Sequence, residues 1–126
     1  MRKQFPARIG KHTTILFNPH TLDRSARVIL ANIAHNKCAL TDLGEMGTEH
    51  LMQALEELTR LENGETPTVT FPTINGVAQF TFENTHGGYP VMEVRTRYEL
   101  MMFAMTSARV SELHHAIEQT LAECRK

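Results

Sequence analysis

The chain has 126 residues, of which 41% are hydrophobic and 21% charged, proportions of an ordinary globular protein and too few residues for more than one core. Two cysteines, Cys38 and Cys124, exclude a disulfide-rich scaffold and lack Cys-x-x-Cys spacing, and no apolar run approaches the ~20 residues needed to cross a bilayer. The net charge of −1 hides an asymmetry: through residue 27 six basic residues face the single acid Asp23, a balance of +5, which leaves −6 for the remainder.

The expected organisation is one domain over 1–126 with a basic, loose amino-terminal arm over 1–11. The basic start leads into no apolar signal-peptide segment, so a cytoplasmic protein that does not enter a membrane is expected. His12 to Phe17 has the composition of a strand, which Asn18-Pro19 is expected to break. Ser25 to Asn36 supports two readings. Ala26, Ile29, Leu30, Ile33 and Ala34 match a helical stripe, whereas the Val28-Ile29-Leu30 run suits a buried strand. As a strand it gives the chain an internal echo, strands then a helix ending at Glu62, strands then a helix ending at Glu123.

From Thr48 to Glu62, Leu51, Ala54, Leu55, Leu58 and Leu61 recur at helical spacing, with Thr48 as N-cap and Gly64 as stop. Glu49, Gln53, Glu56 and Arg60 fall on the opposite face, where Glu56 and Arg60 have the spacing of an ion pair. Thr66 to Ile74 and Val77 to Asn84 flank Asn75-Gly76 as a hairpin. Val91 to Arg97 then alternates, with Met92, Val94 and Tyr98 directed inward. Leu100 to Met105 is continuously apolar and is taken as a strand, since Thr106-Ser107 offers a helix cap directly after it. A final helix over Ala108 to Glu123 carries Val110, Leu113, Ile117, Leu121 and Cys124 on one stripe.

The fold expected is α+β, a mainly antiparallel sheet of four to six strands with two or three helices packed on it. The alternative takes Ser25 to Asn36 as helix. Residues 25–84 then resemble a winged-helix domain in the order of their elements alone, with Glu49, Glu56 and Glu57 on the helix that would face phosphate and repel it.

Motifs for chemistry are sparse. There is no nucleophile elbow and no phosphate cradle, and the seven histidines form no His-x-x-x-His or His-Glu-x-x-His. His35 and Cys38 have the best metal-like spacing, two ligands short of a zinc site. No catalytic residue and no cofactor is expected, and an enzyme is disfavoured.

The function expected is that of a small interaction protein of bacterial or phage type, an inhibitor, adaptor or regulator that binds another protein stoichiometrically. Its charged contacts would be Arg2, Lys3, Arg8, Lys11, Arg24 and Arg27 from the basic segment, with Glu49, Glu56 and Arg60 from the first helix. Met101, Met102, Phe103 and Met105 would form the self-association surface of a homodimer. The alternatives are a nucleic-acid-binding regulator using the same basic segment and, third, a metal-dependent or His/Cys enzyme.

Overall fold

Residues Ser25–Ala34 form a strand, which fixes the order of elements. The computed structural model describes residues 3–65, 69–72, 78–84 and 90–126, with the backbone alone for 69–72, 78–80 and 82–84. Strands β1 (Phe5–Arg8), β2 (Thr13–His20), β3 (Ser25–Ala34) and β4 (Lys37–Gly47) precede helix α1 (Thr48–Glu62). Strands β5 (Val69–Pro72), β6 (Ala78–Asn84), β7 (Pro90–Thr96) and β8 (Leu100–Ala104) precede helix α2 (Ser107–Cys124). Each group of four forms an antiparallel sheet in chain order. The protein is therefore α+β, and the same unit of four strands and a helix occurs twice, as the echo in the sequence implies. The expected four to six strands are eight, divided between two sheets.

The winged-helix alternative fails on β3 and β4. The segment it requires as helix, Ser25 to Asn36, is extended over Ser25–Ala34 and paired with β4, Ala26 with Met46 and Ile33 with Cys38. The helical spacing of Ile29, Leu30 and Ile33 arises because both faces of β3 carry apolar residues, Val28 and Leu30 toward the core and Ile29 and Ile33 away from it. Its turn into β4 is made by His35 and Asn36, at φ 52° and 63°, the two left-handed residues of a tight hairpin.

Asn18-Pro19 does not end β2, which continues to His20. Ile33 N–H donates to His12 C=O at 2.8 Å, so even-numbered residues of β2 bond β3 and odd-numbered ones face β1. Pro19 thus aims its missing donor past the end of β1, where no strand requires it. The basic arm is likewise not loose over its length, since Phe5–Arg8 pair with β2 and Ala7 and Ile9 are buried.

A bulge in β4 sets the charges of this sheet. The register slips opposite Val28 and Ile29, with Gly44 at φ 95°, and the extra residue, Leu43, enters the core. Asp42 and Glu45 consequently share the outer face, where Arg27 reaches Asp42 at 2.6 Å and Glu45 at 3.2 Å.

Helix α1 starts one position earlier than expected, at Thr48 itself. Gly47 is the N-cap, Thr48 is the first helical residue, and no side chain caps the end. Helix α2 is capped by Thr106, whose hydroxyl accepts from Arg109 N–H. Val110, Leu113, Ile117, Leu121 and Cys124 are all buried, each large apolar side chain contributing roughly 1.5–3 kcal/mol. The helices pack on each other, and α2 lies over β1 and β2 of the first sheet. A single core runs through both units, from Ile15, Phe17 and Val28 through Leu51 and Leu58 to Met92, Val94 and Met105. Tyr98, expected inward, is exposed in the turn between β7 and β8. The Asn75-Gly76 turn lies outside the described residues, as do the side chains of Phe80 and Phe82.

Candidate functional site

A groove of about 460 Å³ separates the β1–β2 turn and the end of β3 from strand β8. On its first wall Ile9 and Gly10 both donate their N–H to Thr13 C=O, at 3.0 and 3.2 Å. This tight turn leaves Lys11 and His12 exposed at its tip. Asn32 and Ala34 continue the wall, and Met102, Phe103, Ala104 and Arg109 form the opposite side. Phe103 approaches because Gly10 has no side chain: a Cβ there would stand 3.3 Å from the ring. The ionisable lining residues are Lys11, His12 and Arg109, with no carboxylate among the described ones.

Strand β8 is an edge strand. Met105 N–H donates to Pro90 C=O and Thr96 N–H to Glu99 C=O, both at 2.8 Å, so the odd-numbered residues of β8 bond β7. The backbone groups of Leu100, Met102 and Ala104 point the other way. Of these, the Ala104 carbonyl is taken by Arg109 Nη1 at 2.8 Å. The side chains of Leu100 and Met102 are 49% and 57% exposed.

The structure divides the residues expected to self-associate. Met105 is 1% exposed and belongs to the core, Met101 and Phe103 pack against that core, and Met102 alone is open. It brings Met102 and Phe103 into one groove with Lys11 of the basic segment, which the sequence placed on a separate surface. Arg109, the residue missed, carried no signal beyond a position at the start of a helix.

The remaining basic residues are dispersed. Arg2 lies outside the described residues. Lys3 pairs with Glu123 at 2.7 Å, Arg27 is occupied by Asp42 and Glu45, and Arg8 and Arg24 are exposed elsewhere on the first sheet. Arg8 contributes through its backbone, its N–H donating to Glu112 at 2.8 Å. On α1, Glu49 and Glu56 are exposed, but Arg60 pairs with Glu57 at 3.2 Å and Glu65 at 3.6 Å rather than with Glu56. Lys126 and Lys3 together hold the Glu123 carboxyl below its ordinary range.

His35 sits at the tip of the β3–β4 hairpin and Cys38 on its second strand, both exposed. No group of three or more potential metal ligands gathers among the described residues. Around His20, Ser25 Oγ donates to Glu45 at 2.9 Å, while His20 Nε2 stands 3.8 Å from the same carboxylate. Serine and histidine thus converge on one acid rather than on each other, unlike a nucleophile with its base. His114 joins the helices, with Nε2 3.1 Å from Thr59 Oγ1.

The outer face of the first sheet carries a second surface. Leu16, Ile29, Ala31, Ile33 and Leu40 share it by register, and Ile33 and Leu40 are exposed. No helix among the described residues is long and apolar enough to cross a membrane. Compared with known proteins, the chain matches no family model, no curated protein and no solved structure.

Proposed function

We propose that this protein is a non-enzymatic interaction protein, an inhibitor, adaptor or regulator that acts by stoichiometric binding of another protein at the groove beside β8. One observation carries the reading: an edge strand with free backbone groups borders a groove whose charges, among the described residues, are all basic. Edge strands invite pairing unless covered or charged, and here the charge flanks the edge instead of occupying it. The nucleic-acid reading loses support because Lys3 and Arg27 are engaged within the protein and the other basic residues do not converge. We place the protein in the cytoplasm, where the exposed, free Cys38 thiol would be kept reduced.

Affinity capture from the native host, followed by light scattering of the purified complex, tests the reading. A protein partner at fixed stoichiometry is expected, and enrichment of nucleic acid alone would discard it.

Self-association is the second reading, favoured by the outer face of the first sheet rather than by the methionines. A homodimer packed through Ile29, Ile33 and Leu40 should show twice the monomer mass by light scattering and return to monomer in an Ile33→Lys, Leu40→Lys variant.

A further inference from the structure

Building on that protein-binding reading, we propose that the groove takes an extended, carboxylate-bearing segment of a partner protein, which adds as a fifth strand along the free edge of β8. The backbone of β8 supplies the first argument. The N–H and C=O of Leu100 and Met102 and the N–H of Ala104 face away from β7, and the row is closed at Ala104 C=O by Arg109. A peptide backbone repeats donors and acceptors with the same spacing as this row, whereas a sugar-phosphate chain does not.

Charge supplies the second. Lys11 makes no ion pair or side-chain hydrogen bond, and Arg109 spends one of its five N–H donors on Ala104. The others remain to receive a carboxylate at the end of the added strand, in the bidentate geometry arginine favours. No acid among the described residues lines the groove to compete for either cation.

The far wall supplies the third. An entering strand is bounded on its other side by Lys11, His12, Asn32 and Ala34. A single extended segment would lie between this wall and β8, while the β8 edge of a second copy would bring its own β7 into the same wall. Among its described residues the groove also offers no fully exposed aromatic ring for stacking bases, Phe103 being half-buried against Gly10.

The test is fluorescence anisotropy at low salt with a labelled peptide of alternating Glu with Thr or Val. It is run beside a Lys-for-Glu counterpart, a backbone N-methylated counterpart and a thymidine oligonucleotide. Wild type should bind the acidic peptide saturably and the lysine peptide at least about tenfold more weakly, a difference of ~1.4 kcal/mol. Lys11→Glu, at an exposed turn position, should weaken the acidic peptide by a similar factor. Met102→Pro should abolish binding with the unfolding midpoint kept, because the N–H it removes faces the groove and not β7.

Equal binding of the N-methylated peptide, tighter binding of the oligonucleotide, or no binding of the acidic peptide to wild type would each overturn the proposal. So would a dimer of this chain that Met102→Pro dissociates. If the acidic peptide fails while a captured partner still binds Met102→Pro, strand addition at β8 is wrong and stoichiometric protein binding stands without it.

Discussion

Gly10 and Phe103 meet across the two units, the ring lying where a Cβ on Gly10 would stand 3.3 Å from its Cδ1. The same Cβ would be 3.4 Å from Thr13 Cβ, so a larger residue has nowhere to go without moving the ring toward the groove. Gly10→Val is expected to destabilise the protein by about 1–3 kcal/mol, measured by urea unfolding. An unchanged midpoint would mean that the contact between β8 and the β1–β2 turn is looser than described.

The methionines of β8 and its neighbour should separate cleanly. Met105 is fully buried, so Met105→Ala should cost about 2–5 kcal/mol. Met102→Ala, at an exposed position, should stay within about 0.5 kcal/mol. Thermal or urea unfolding of the two variants checks this, and similar losses would show that Met102 is part of the core.

Glu123 gives a pH dependence of known sign. Its carboxyl is held below the ordinary 4.5 chiefly by the hydrogen bond with Lys126 and then by that with Lys3. A depressed folded-state value means that the stability gained is complete above about pH 4.5 and is lost as pH falls through the folded-state value. Carboxyl-carbon NMR titration should show the Glu123 value rising toward normal in Lys126→Ala, and less so in Lys3→Ala. No movement in either variant would mean that these pairs are not formed in solution.

The two thiols should differ in reactivity. Burial pushes the Cys124 thiol up, against the backbone hydrogen bond from His20, and its Sγ donates to Ser25 C=O at 3.3 Å. Cys38 is exposed. A thiol reagent should therefore titrate one group rapidly in the native protein and the second only in denaturant, and Cys38→Ser should abolish the rapid phase. Two rapid equivalents in the wild type would place Cys124 within reach of solvent.

Much of the fold was legible in local patterns. The stripes of α1 and α2 and the alternation of Met92 and Val94 each report one buried face, and those elements lie within a few residues of their expected limits. Strand β3 was ambiguous for a physical reason: an apolar residue on its outer face breaks the period of two and mimics a helix. The His35-Asn36 turn was hidden because it lacks the glycine usual beside Asn in such a turn, and the β4 bulge because a single glycine, Gly44, does not say which register it breaks. The site was legible only in parts. Lys11, Met102 and Phe103 stood out singly, but their meeting depends on how the edge of one sheet is placed beside a turn of the other, which no local pattern encodes.

The placement of α2 over β1 and β2 has a consequence for synthesis. The inner face of the first sheet is complete in the nascent chain before its cover exists, because the helix that packs over Ala7, Ile15 and Phe17 is made only after the whole second sheet. Until then those residues face water or a chaperone, and the contacts of α2 with β1 and β2 must close late, at the entropic cost of a long loop. Removing α2 should therefore leave the first unit insoluble, its inner face uncovered.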